Sequence, residues 1–223
     1  MNNKIVSLAS FSFICLLAMV ISFQSCLSPR ERSIKKWEKQ EWKIVKADKN
    51  ETPSWVIYGR KIRGTNFFEY KIEGNIASNP KTCISSFRQD LLNDTTDSKK
   101  FPTYNIINIS NDTLLTYAIH NEPFPLKDTE MSIRYIFFKE QDGSIGVNWK
   151  EAWDDCTIKP SKKLSRVQTF RGYWHFSPIS SNLSKAVNST QFDPKKMPKW
   201  IFEPMVFKFL KEGLEDIRDM NAE

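Results

Sequence analysis

Apolar positions recur along this chain with three different periods, and the periods divide it into regions. From Ile5 to Leu27 the run is almost continuously apolar and contains no charged residue. Residues 33–46 place Ile34, Trp37, Trp42 and Val45 among charges, a pattern expected of a short amphipathic helix or irregular lead-in. Strand signals follow: Trp55–Tyr58 and Phe67–Ile72 are β-branched and aromatic, and Gly64 and Asn66 punctuate the hairpin between them. Asn79-Pro80 then predicts a helix start, with Asn79 as cap, Pro80 at the first position, and Ile84, Phe87 and Leu91 at helical spacing. A period of two returns in six segments, 104–109, 114–120, 131–138, 144–153, 167–176 and 185–192, with hairpin connections at Asp142-Gly143 and around residues 180–184. From Pro198 to about Met220 an apolar stripe of Ile201, Met205, Val206, Phe209, Leu210, Leu214 and Ile217 predicts a long terminal helix. This order predicts an α+β fold, with a strongly curved antiparallel sheet wrapped around the last helix and burying its stripe.

The apolar opening follows one basic residue, Lys4, as in an export signal, and ends in Phe23-Gln24-Ser25-Cys26, which resembles a bacterial lipobox. That resemblance implies cleavage before Cys26 and lipid on its thiol, so residues 1–25 are expected to be a lipoprotein signal peptide. An uncleaved signal anchor is the alternative, since the stretch is just long enough to span a bilayer. Either way the rest of the chain is expected outside the cytoplasm and tethered to a membrane, with residues 26–36 as tether and 37–223 as the folded domain. Leu27 lacks the acid that holds some lipoproteins in the inner membrane, which favours the outer membrane. Arg30, Arg32, Lys35 and Lys36 give the tether a basic face suited to anionic headgroups or to water.

Composition narrows the function classes. At 40% hydrophobic and 26% charged residues, the 223-residue chain is neither a multi-span membrane protein nor a disordered one. Acidic residues are interleaved with the basic ones, so the formal charge of +7 forms no nucleic-acid stripe. Aromatic residues make up 13% of the chain, a payload that must fill a core or line a cavity. Catalytic signals are scarce: only His120 and His175 could serve as neutral-pH bases, and there is no GxSxG elbow or P-loop. Asp154-Asp155 beside Cys156 lacks further metal ligands and reads as surface acids at a strand end. No metal, cofactor or catalytic residue is expected. With Cys15 in the leader and Cys26 lipidated, Cys83 and Cys156 remain, either as one disulfide or as two buried free thiols.

Several segments resemble the START family, the lipid-transfer domains related to the steroidogenic acute regulatory protein, over roughly Trp42 to Arg218. They are Trp55-Val-Ile-Tyr-Gly-Arg60 with Phe68-Glu-Tyr-Lys71, Pro123-Phe-Pro125 with Asp128-Thr-Glu130, and Arg166 with Gly172-Tyr-Trp-His-Phe-Ser-Pro178. Most specific are Asp193-Pro194 and Met197-Pro198-Lys199-Trp200 leading into the last helix. Lys195-Lys196, Glu203 and Pro204 depart from the family pattern; Pro204 is tolerable only if the helix begins late. The resemblance implies a helix-grip fold around an elongated hydrophobic cavity for a lipid or other apolar small molecule. It also implies that Arg134 points into that cavity and serves the ligand's polar end; the alternative is an outward Arg134 paired with a surface acid. With Arg134 inward, the two-residue period carries Ser132, Ile136 and Phe138 inward as well, with Asn148 on the next strand. Alignment through Pro178 puts Trp174 and Phe176 on the cavity wall, and helical spacing adds Phe202, Val206, Phe209, Leu210 and Gly213. The expected function is a membrane-anchored, monomeric lipid-binding or lipid-transfer module without covalent chemistry. An aromatase/cyclase-like enzyme on the same architecture and an envelope interaction protein with a filled core are the alternatives.

Overall fold

A computed structural model describes residues 41–62, 67–93, 103–122, 127–159, 161–192 and 198–222. Glu41–Glu223 form one compact unit. The expected signal peptide, Cys26, the tether and the Asp193 to Met197 part of the motif before the last helix lie outside the described residues.

Among the described residues ten strands and two helices follow in chain order: β1 (Lys43–Ala47), β2 (Trp55–Lys61), β3 (Phe68–Ile76), α1 (Pro80–Asn93), β4 (Thr103–Ile109), β5 (Thr113–His120), β6 (Thr129–Lys139), β7 (Ile145–Glu151), β8 (Ser165–Arg166), β9 (Phe170–Ser180), β10 (Leu183–Phe192) and α2 (Lys199–Asp219). They form one curved sheet in the order β1-β2-β3-β10-β9-β7-β6-β5-β4, with the short β8 pairing β6 in parallel. The sheet is therefore antiparallel along its whole path, and the C-terminal helix packs against it, as the patterning predicts.

Local chemistry explains the punctuation. Asn79 Oδ1 accepts the backbone N–H of Thr82 at 3.0 Å, which caps α1, and Pro80 occupies its first position where no N–H is needed. Gly143 takes φ 88°, and Asp142 Oδ1 accepts the Ser144 N–H at 2.9 Å, so the β6–β7 turn has its left-handed residue and an Asx lock. Two expectations need correction. Residues 43–47 form the edge strand β1 rather than a helix, because Ile44 and Val45 stay exposed and the backbone pairs with β2. Helix α2 begins at Lys199, as the patterning predicts, so Pro204 lies inside it, where a late start was expected to spare it. The bond that Pro204 cannot make belongs to the carbonyl of Trp200, at the solvent-exposed end of the helix, where water can replace it.

Candidate functional site

One face of the sheet is apolar across almost its full width, and its composition can be read along the register. One row runs Gly59, Tyr70, Thr190, Gly172, Trp149, Tyr135 and Leu114 across seven strands. The next runs Ile57, Ile72, Asn188, Trp174, Val147 and Phe137. Most of these residues are buried in a single cluster with Phe176 and with Phe202, Leu210, Leu214 and Ile217 of α2. Both helices close this face. The Phe202 ring lies 5.1 Å from that of Phe68, Phe207 meets Tyr70 edge-on at 5.4 Å, and Phe87 of α1 reaches Tyr135 at 6.3 Å and Trp174 at 6.4 Å. The Tyr70 hydroxyl donates to Glu203 Oε1 at 2.6 Å, tying β3 to the first turns of α2; burial, reinforced by that carboxylate, pushes the Tyr70 pKa far upward.

Of the residues expected on the cavity wall, Trp174, Phe176, Phe202 and Leu210 are buried in the interior cluster and Val206 packs against it. Gly213 of α2 also faces it, with Asn188 Nδ2 and Trp174 Cζ2 3.6 and 3.7 Å from where its Cβ would stand. Phe209 sits at the margin, 46% exposed, with its ring edge-on to Phe170 at 6.4 Å.

The β6 and β7 assignments are corrected. Ile133, Tyr135 and Phe137 face the interior, so Ser132, Arg134, Ile136 and Phe138 lie on the opposite face, and Asn148 is exposed there too. Arg134 pairs with Asp155, which lies in a 3-10 turn at Trp153–Asp155 just after β7. Ser132 Oγ donates to the Ala152 carbonyl at 3.2 Å, Ile136 is 43% exposed, and Phe138 stacks on His175 at 6.2 Å. The physical reason is a strap formed by residues 152–159 and 161–167, which covers the outer face of β6 at Glu130, Ser132 and Arg134 without being part of the cavity wall. Glu130, 1% exposed, anchors the strap: its Oε1 accepts from Arg166 Nε at 3.0 Å and its Oε2 from the Tyr117 hydroxyl at 3.0 Å. Burial, together with Glu130, holds the Tyr117 pKa up at about 12. The Arg166 guanidinium lies 3.7 Å from the Trp153 ring centroid and donates to the Ile158 carbonyl.

Both histidines lie off the inner face. His175 Nε2 sits 3.2 Å from Glu140 on the outer face, and His120 Nδ1 sits 3.2 Å from Glu122 at the end of β5. The two thiols are unbonded: Cys83 is buried on α1 at the inner face, and Cys156 follows the 3-10 turn in the outer strap, so the sheet stands between them. Among the described residues no His, Cys, Asp and Glu group could hold a metal ion.

No family model matches the chain, and no curated protein sequence matches it. Solved structures do. The STAR-related lipid transfer protein of Xanthomonas axonopodis (fragment 25–204) superposes with a TM-score of 0.67 at 15% identity, covering 82% of this chain and 100% of that one. The human StAR-related lipid transfer protein 5 gives 0.63 at 10% identity, over 95% and 97% of the two chains. Human STARD10 gives 0.65 at 13%, over 89% and 81%. The fold is that of the StAR-related lipid-transfer domains.

Within this START fold, some interior residues escape sequence reasoning. Tyr135 and Trp149 stand in the row opposite Gly172, and the alternation Ile133, Tyr135, Phe137 and Val147, Trp149 is the signal that finds them. Asn188 and Thr190 of β10 also point inward, each 2% exposed. Asn188 Oδ1, Thr190 Oγ1 and Trp149 Nε1 are all buried without a hydrogen-bond partner.

Proposed function

We propose that this chain is an exported, membrane-anchored module that binds a lipid or another apolar small molecule between its sheet and its last helix. The observation that carries the reading is the continuous apolar inner face clasped by α1 and α2, in an architecture shared with solved proteins named for lipid transfer. Burial of an apolar ligand there supplies about 25 cal/mol per Å2 removed from water, and no covalent step is needed. The apolar leader and Cys26 support tethering beside the bilayer from which such a ligand would come. Near the start of α2, Trp200 is 76% and Met205 45% exposed, close to Lys199 and Lys208, a combination suited to an anionic membrane surface.

Two experiments test the two halves of this reading. Transfer of a fluorescent lipid from donor to acceptor vesicles is expected to rise with protein concentration, and a rate equal to the spontaneous one refutes lipid transfer. Labelling cells with an alkyne fatty acid is expected to mark the wild type and not the C26A variant. Equal labelling of both, or of neither, refutes the anchor at Cys26.

A further inference from the structure

Among the described residues four buried side-chain polar atoms lack a partner, and three of them, Trp149 Nε1, Asn188 Oδ1 and Thr190 Oγ1, belong to neighbouring register positions on the inner face, apart from Asn221 Oδ1. Asn188 and Thr190 are two residues apart on β10 and share its inner face, which spaces them by about 7 Å. Thr190 stands opposite Gly172 of β9, and Gly172 stands opposite Trp149 of β7. A Cβ at Gly172 would collide with the Trp149 ring and with the Ser189 carbonyl oxygen. The indole therefore lies over the glycine backbone and reaches toward β10. The ring atom Cε2, bonded to Nε1, would lie 2.7 Å from that Cβ, so the nitrogen edge of the indole lies over β9, the strand between β7 and β10. From above, α2 approaches with Gly213, which adds no side chain of its own. Phe170 bounds the group on the outer side, with its ring 6.3 Å from Trp149 and 6.4 Å from the exposed Phe209.

Buried polar groups in native proteins are nearly always paired, because leaving one unpaired forfeits its hydration without return. Three in one place, comprising an indole donor, a hydroxyl and a carboxamide, mark a site completed by something absent from the chain. The three groups themselves are neutral, and Glu203, which accepts from the Tyr70 hydroxyl, is already paired with Lys199.

We propose that Trp149, Asn188 and Thr190 form the headgroup subsite of the ligand cavity, and that it selects an uncharged lipid end carrying a hydroxyl or amide over an ionised one. This rests on the hydrophobic-ligand reading above. An alcohol or amide can accept from the Trp149 N–H and donate to Asn188 Oδ1 at once. A carboxylate or phosphate has no proton for the carboxamide oxygen and loses its hydration without a cation in return.

The test uses three probes with one apolar body: 10-pyrenyldecanol, 10-pyrenyldecanoate at pH 8 and decylpyrene, titrated into the chain from Leu27 onward. The alcohol is expected to bind about tenfold tighter than the hydrocarbon, consistent with hydrogen bonds made in a dry site, and the carboxylate weakest. In T190V and N188L the advantage of the alcohol over the hydrocarbon should disappear. Both variants are also expected to raise the melting temperature of the ligand-free protein, because each removes an unpaired polar group; this readout holds even if one variant binds nothing. A carboxylate preference, equal affinity for all three probes, or an alcohol preference that survives both substitutions overturns the subsite. Failure of all three probes to bind instead refutes the hydrophobic-ligand reading beneath it.

Discussion

Replacing Arg166 by Ala should cost far more stability than a surface ion pair, and the structure says why. The substitution removes the partner 3.0 Å from Glu130 Oε1, a donor to the Ile158 carbonyl at 3.2 Å, and the guanidinium face 3.7 Å from Trp153. It leaves the Glu130 carboxylate, 1% exposed, with the Tyr117 hydroxyl donating to its Oε2 but no cation beside it. Breaking a buried pair from one side costs about 3–5 kcal/mol, against at most ~1 kcal/mol for an exposed pair. In a chain of this size that range lowers Tm by roughly 6–20 °C. Urea unfolding followed by circular dichroism, with Tm from a thermal scan, measures it. The double variant R166M/E130Q removes both charges and should recover part of the deficit, giving a coupling energy of about 1–3 kcal/mol. A loss below ~1 kcal/mol for R166A, or a double variant no better than the single one, would refute the idea that this pair anchors the strap over β6.

Three further outcomes follow from other parts of the molecule. Glu122 has its pKa lowered by the hydrogen bond to His120 and then by the Thr129 hydroxyl. Its contribution is thus fully present above the ordinary value of about 4.3 and is lost as pH falls through the lower folded value; E122Q should flatten the decline in urea stability below about pH 5, and parallel curves would contradict this. In a thiol titration with Ellman's reagent, Cys156 should react at least tenfold faster than the buried Cys83, whose thiol pKa burial pushes up, and recovery of no free thiol after unfolding would contradict the unbonded state. G172A should destabilise the protein by roughly 1–3 kcal/mol or more through overpacking against Trp149 and the Ser189 carbonyl, and an unchanged urea midpoint would show that the indole does not lie over that glycine.

Where one local rule acted alone, the sequence was legible. The Asn79-Pro80 cap and the Asp142-Gly143 turn each had a single physical reading, and each stands where that reading puts it, while the stripe of α2 holds in part: Leu210, Leu214 and Ile217 are buried with Phe202, and Met205 and Phe209 are exposed. The strand β6 had two. Both of its faces carry large apolar side chains, Ile133, Tyr135 and Phe137 on one and Ile136 and Phe138 on the other, so the period of two cannot say which is inner, and a one-residue error inverts them all. Resemblance favoured the Arg134 face; the strap that covers that face comes from residues 152–159 and 161–167, whose pairing with β6 through β8 is non-local and leaves little trace in periodicity. Asn188 and Thr190 were hidden for the converse reason. A polar residue in a strand reads as outward, and only the register shows these two beneath α2.

The central claim, an interior that holds an apolar ligand, is tested most directly by native mass spectrometry of the chain from Leu27 onward, purified without detergent from cells that make lipids of both neutral and charged classes. The account predicts a population heavier than the sequence mass by one lipid, lost on organic extraction and restored by incubation with vesicles. A spectrum at the bare sequence mass before and after incubation would contradict it.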